Sequence, residues 1–268
     1  MRSRPSIPLS DLALRQMSST MKKRTKIIIY TLIAVAFWLI AWELVALSVD
    51  LSFIIPSVKE TLAALFALVL QADFYITVLK SFVRIVLGFV LGVAVGFVLG
   101  GLSYKSLLVK TLFSPIMSIF RSTPVASFIM ILWFLLGGGL IPVFIAVLMV
   151  MPLVYQGTFN GLSSIDPNLI EVASIYRFSA IKKCKLLYLP SLTKFLLPTV
   201  ITACGLAWKS GVAAEIITYT RNSIGAAIFD AKNNFDSANM FAWTFVVIFI
   251  SLLIEFLMNK ALGKVRKI

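Results

Sequence analysis

Leu87-Gly88-Phe89-Val90-Leu91-Gly92-Val93-Ala94-Val95-Gly96-Phe97-Val98-Leu99-Gly100-Gly101 contains no charged or hydrogen-bonding side chain. It lies at the centre of an apolar run, Phe82 to Leu102, whose one charge is Arg84. About 20 apolar residues in a helix are enough to cross the hydrocarbon of a bilayer. The run therefore reads as a membrane helix. Gly88, Gly92, Gly96 and Gly100 recur at helical spacing. They line one face and let a second helix approach closely, which reads as packing within the bundle or a dimer. A dinucleotide fingerprint would need a strand before the glycines and a helix start after them.

Working outward, five more such runs are expected. One covers Ile27 to Val49, broken by Glu43. It is too long for a cleaved signal peptide and has no small-residue cleavage site. Another lies within Leu107 to Leu136, interrupted by Arg121-Ser122-Thr123-Pro124, and Pro124 predicts a break or kink there. The remaining runs are Ile141 to Leu162, Leu196 to Ile217 and Phe241 to Leu262. The expected fold is an all-α integral membrane protein with about six transmembrane helices. Residues 1–25 form a polar, basic tail and 26–268 the transmembrane domain.

Composition agrees. Of the 268 residues, 60% are hydrophobic and 13% charged, and the mean hydropathy is +0.98. Soluble domains carry about a quarter charged residues. The net charge of +14 comes without any nucleic-acid motif, so no nucleic acid is expected as a partner. The Lys and Arg side chains instead follow the topology. The tail to Lys26 carries seven. Lys105 and Lys110, then Arg177, Lys182, Lys183, Lys185 and Lys194, then Lys260, Lys264, Arg266 and Lys267 fall on the same side. The alternate loops are poorer in them. That places both termini in the cytoplasm of a multi-pass protein. There is no histidine, and Cys184 and Cys204 are the only cysteines. No metal site and no catalytic residue is expected.

The segment between the fourth and fifth runs, 163–191, is the most informative. Asp166-Pro167 reads as an N-cap followed by proline at the first helical position. Two short helices separated near Arg177 to Ser179 are expected, with Leu189-Pro190 leading into the next span. The segment resembles the EAA loop of permeases in bacterial binding-protein-dependent ABC importers. Glu171, Ala173 and the ending Leu187-Tyr188-Leu189-Pro190 match its pattern, with Val172 in place of an alanine. Arg177 stands where that family has glycine. Further matches to the nitrate/sulfonate/taurine branch are Ser81-Phe82-Val83-Arg84, Arg121-Ser122-Thr123-Pro124, Gly205-Leu206-Ala207-Trp208, Ala213-Ala214-Glu215 and Ser223-Ile224-Gly225.

The resemblance implies a type I ABC importer permease in the bacterial plasma (inner) membrane. Its loop at 163–191 would act as a cytoplasmic coupling helix, docking Asp166, Glu171, Ala173, Arg177, Leu189 and Pro190 on a separate ATPase subunit. ATP would be bound by that partner and no cofactor by this chain. An extracytoplasmic solute-binding protein and a second permease, identical or paralogous, are also implied, as is contact with membrane lipid. Lys182, Lys183 and Lys185 either touch the ATPase or anchor the loop at the membrane. The implied cargo is a small solute such as a sulfonate, taurine or nitrate, with a thiamine pyrimidine precursor as the alternative.

Charges at membrane depth are costly and mark function. Arg121, Ser122, Thr123, Trp208, Lys209, Ser210 and Glu215 are candidates for the translocation pathway. Lys209 either faces the pathway, favouring an anion, or pairs with a carboxylate on a neighbouring helix. Lys209 and Glu215 lie on different faces of one helix. Arg84 could snorkel to the interface. Glu43 and Glu255 read as interfacial. The competing class is an ion-coupled secondary transporter, which needs no loop like that at 163–190.

Overall fold

The structure, a computed structural model, describes residues 9–49, 51 and 54–263. It is helical throughout, with no strand among the described residues. Helix α1 runs Leu9–Val49, α2 Val58–Val69, α3 Ala72–Lys105, α4 Leu107–Ser122, α5 Val125–Leu136 and α6 Ile141–Ser163. The loop helices are α7, Pro167–Ile175, and α8, Ala180–Lys183. A π-helical turn, Cys184–Tyr188, leads into α9, Leu189–Ile217. Then come α10, Ile224–Asn233, and α11, Ser237–Gly263.

Five of these helical runs are long and apolar enough to cross a membrane. The sixth expected span is a bent pair: α4 and α5 meet at 106° across Thr123 and Pro124. Proline cannot supply the N–H that would continue α4. Thr123 closes the helix instead, donating its N–H to the Ile119 carbonyl at 3.0 Å. The expected break is present, but as two arms of a sharp elbow.

Helices α3, α6 and α9 form the centre. Of the most apolar stretch of α6, 72% of residues are buried in protein, against 6% for α1. The four glycines of α3 are where α6 comes against it. A Cβ on Gly88 would lie 2.5 Å from the Val143 carbonyl oxygen, and one on Gly96 2.6 Å from that of Met151. No side chain larger than hydrogen fits there without moving backbone. Ile85, Val150, Val154, Ala203, Ala207, Trp208 and Val212 join the three helices in one apolar cluster.

The outlying helices are fastened by specific polar contacts. The Trp42 indole N–H donates to the Pro56 carbonyl at 3.1 Å. Its ring stacks on Phe241 and Phe245 of α11. An apolar pocket of about 410 Å³ remains between α1 and α11, lined in part by Trp42, Ile55 and Phe245. Glu43 accepts the Val58 N–H at 2.9 Å, a favourable place for a carboxylate at a helix N-terminus. Helix α2 itself starts on a capping box, Ser57 and Glu60.

Candidate functional site

Between α6 and α9 the chain leaves the bundle and returns. The Asp166 carboxylate accepts the Asn168 N–H at 2.9 Å, and Pro167 opens α7. Ala173 is the buried residue of this helix. Leu169, Val172, Ile175 and Tyr176 are exposed, Ile175 to 70% and Tyr176 to 73%. Glu171 is exposed among them. A nine-residue helix that buries one small residue, with Leu169, Val172 and Ile175 outward and Tyr176 exposed at its cap, is an unfinished surface.

Arg177 ends α7 with φ of 48°. Its N–H reaches the Ser174 carbonyl at 3.0 Å, and the Phe178 N–H reaches Ala173 at 2.9 Å. Those two bonds define a Schellman cap, the turn that glycine makes most cheaply. The arginine at the family's glycine position therefore keeps the turn rather than remodelling it. Ser179 caps α8 by accepting the Lys182 N–H at 3.3 Å. The Lys182 ammonium sits 4.1 Å from the centre of the Phe178 ring. Lys185 and Cys184 point outward from the π turn. Pro190 follows, exposed, one residue after Leu189. It has no N–H for the carbonyl four residues back, and the chain widens into π geometry just before it.

The pathway candidates separate into two groups. Arg121 and Lys209 are exposed, and among the described residues neither has an acidic partner within 4.0 Å. Gly205, one turn before Lys209, faces open space. Ser122 is exposed and Thr123 half-buried, but both hydroxyls donate to the Ile119 carbonyl, at 3.1 and 2.8 Å. Trp208, by contrast, is 1% exposed and donates its indole N–H to Val247 of α11 at 3.0 Å. Ser210 is buried and its hydroxyl donates to Leu206 at 2.8 Å. These two side chains belong to the interior, where every polar hydrogen needs a protein acceptor.

Glu215 is also interior, with no exposed surface. Its Oε2 accepts the Ser81 hydroxyl at 2.8 Å and the Gly225 N–H at 3.3 Å. Its Oε1 lies 3.6 Å from Arg84 Nη1, an ion contact too long for a hydrogen bond. Arg84 also donates to the carbonyls of Arg221 and Asn222, at 3.2 and 3.4 Å. Its head is tied to the protein by these bonds while a quarter of the side chain stays exposed. A carboxylate on a neighbouring helix was one expectation for Lys209; the cation that takes one is Arg84. Two features marked this pair in the sequence, a lone Arg in one apolar run and a lone Glu in another. Nothing local said that they meet.

The sequence profile of the family described as binding-protein-dependent transport system inner membrane component matches residues 88–266. The chain belongs to this family. It is a multi-pass inner-membrane permease, a transport subunit of an ABC importer rather than an enzyme. Membership favours ATP-driven import over an ion-coupled carrier. A candidate aliphatic sulfonates transport permease protein, SsuC of Bacillus subtilis, is 26% identical over 75% of this chain and 73% of its own length. A candidate ABC transporter permease protein of Brucella melitensis is 25% identical over 78% of this chain and 85% of its own. A chain of the MetNI methionine ABC transporter, in an inward-facing conformation, superposes with a TM-score of 0.54. It is 19% identical and covers 80% of this permease and 96% of itself, which establishes a shared fold.

Proposed function

We propose that this permease carries a small anionic solute of the sulfonate class, driven by a separate ATPase that docks on α7. The observation behind docking is the exposed apolar face of α7, with Leu169, Val172, Ile175 and Tyr176 around Glu171. A helix whose one fully buried residue is Ala173 has little reason to display Leu169, Val172 and Ile175, with Tyr176 at its cap, unless another surface covers them. Helix α9 begins where that loop ends and runs through the bundle, so a push on α7 reaches the transmembrane core as a rigid-body movement.

The same reading sets the loop and both termini in the cytoplasm, following the basic loops. Permeases act in pairs around one pathway, so a second copy or a paralogue covers part of the exposed helix faces. A solute-binding protein delivers cargo at the α10 end.

The cargo class rests on Lys209. Its ammonium is exposed on α9, beside the open space at Gly205 and, among the described residues, without a carboxylate partner. Arg121 adds a second exposed cation at the elbow, also without a carboxylate among the described residues. The acidic side chain on α9, Glu215, is already neutralised by Arg84. A pathway with that balance suits an anion. The sulfonate assignment of the Bacillus subtilis relative points the same way.

Uptake of a radiolabelled short alkanesulfonate by proteoliposomes holding the assembled importer tests this. Lys209→Glu should lower uptake at least about tenfold, or about 1.4 kcal/mol, while basal ATP hydrolysis stays. Unchanged uptake removes Lys209 from the pathway. Glu171→Lys should release the ATPase during purification in mild detergent; an ATPase that stays bound to that variant rejects the docking site.

A further inference from the structure

We propose that Glu215 is a positioning residue that locks the N-terminus of α10 to α9, so that the two move as one body during turnover. Three elements meet at this carboxylate, and each contributes a polar group to the start of α10. The first turn of any helix has N–H groups without intrahelical partners. Here the Ile224 N–H goes to the Ser81 hydroxyl at 2.9 Å, and the Gly225 N–H to Glu215 at 3.3 Å. The Ala226 N–H goes to the Ser223 hydroxyl at 3.0 Å. Ser81 thus accepts from α10 with the same oxygen that donates to Glu215. Arg84 closes the circuit by bonding the carbonyls of Arg221 and Asn222, the two residues before the Ser223 cap.

The fit is tight, and of the two carboxylate oxygens Oε2 is hydrogen-bonded while Oε1 has only the 3.6 Å ion contact with Arg84. A Cβ on Gly225 would lie 2.3 Å from Glu215 Cβ and 2.4 Å from the Ile216 nitrogen. Backbone of α10 therefore rests directly on backbone of α9. The carboxylate has no exposed surface, and its oxygens face Ser81, Gly225 and Arg84. Enclosed on every side, it presents no surface to a passing solute, so it does not work as a cargo site. A charge kept inside an apolar bundle, yet closed to cargo, is explained by what it fastens.

The other end of the same rod carries the docking loop. Ala180 to Ile217 is one helical run of 38 residues, through the π turn and into α9. A clamp at its far end makes α10 the part of that face which must follow when α7 is displaced. Motion during turnover presupposes the ATP-driven reading above; the clamp itself does not.

Amide hydrogen exchange of the 218–236 segment tests both. The permease is studied in nanodiscs, alone and assembled with its ATPase, nucleotide-free and trapped with ADP and vanadate. In the native sequence the amides of 224–226 should be protected equally in every state. Glu215→Gln, which keeps the volume and loses the charge, should speed their exchange at least tenfold, and further in the trapped state. Ser223→Ala should expose Ala226 alone, with no dependence on state. Native-like protection in Glu215→Gln overturns the proposal. Faster exchange that is the same in all states reduces Glu215 to a local cap and overturns the coupled movement. Failure of any ATPase to assemble with the native permease overturns the importer reading, while the arm on the permease alone still reads the clamp.

Discussion

The rod formed by α8, the π turn and α9 has a left-handed turn just beyond each end, and the two are built from the same hydrogen bonds. Arg177 at one end has φ of 48° and Tyr219 at the other 47°. Each is the residue after a helix cap, and each is followed by an N–H that bonds back five residues, Phe178 to Ala173 and Thr220 to Glu215. The surroundings differ, although both side chains reach the surface. Tyr219 donates its hydroxyl to Asp230 at 2.9 Å, a bond that pushes the phenol pKa up, and its ring packs on Phe229. Next to it the Thr218 and Thr220 hydroxyls meet at 2.9 Å. Arg177 has open surroundings, and the helix it ends shows its apolar side outward. One turn is held by the protein's own side chains. The other lies open, on the face where an ATPase is proposed to dock.

The largest expected effect lies at the Tyr219 end. Glu215→Ala leaves the Arg84 guanidinium largely within protein and without its carboxylate, and should lower stability by about 3–5 kcal/mol. Thermal unfolding of the detergent-solubilised permease measures it; a loss under about 1 kcal/mol would mean that the two ends are equally loose. Next is Tyr219→Gly. Glycine relieves the left-handed backbone but forfeits the bond to Asp230 and the contact with Phe229, so a net loss of about 1 kcal/mol is expected. Arg177→Gly should do the opposite. It relieves the same strain and breaks no side-chain bond or ion pair among the described residues, so stability should rise by about 0.5–1 kcal/mol. Opposite signs for these two substitutions in the same unfolding assay would confirm the contrast, and equal signs would break it. Smallest of all is Glu171→Lys, whose effect on the isolated permease should stay within about 0.5 kcal/mol, although it is expected to release the ATPase.

How far the sequence foretold these features follows from the range of the forces involved. Spans were legible because they depend on runs of apolar residues, and the break at Pro124 because proline acts locally. The cap at Asp166-Pro167 was legible for the same reason. Helices α2 and α10 escaped notice as elements. At 12 and 10 residues they are too short to read as spans, and their signals are single caps, Ser57 with Glu60 and Ser223. Trp208, Ser210 and Glu215 were grouped with Lys209 because polarity in an apolar run looks alike from every direction. Only the packing of α3, α6, α10 and α11 around α9 separates the side chains turned inward from the one turned outward. The meeting of Ser81, Arg84 and Glu215 is a property of the tertiary fold, and no local pattern carries it.

The glycine seam between α3 and α6 has an entropic consequence. Most helix contacts in a bundle freeze rotamers, and each long side chain so fixed opposes assembly by up to about 2 kcal/mol. Gly88, Gly92, Gly96 and Gly100 have none to freeze. Once α3 is a helix in the membrane, the usual backbone cost of glycine has been met before the helices associate. Joining it to α6 then orders almost nothing on the α3 side. The seam forms with little to lose and, having no rotamers to shuffle, little to adjust. Helices α3 and α6 therefore make a close-packed frame without play, against which the rest of the bundle is set.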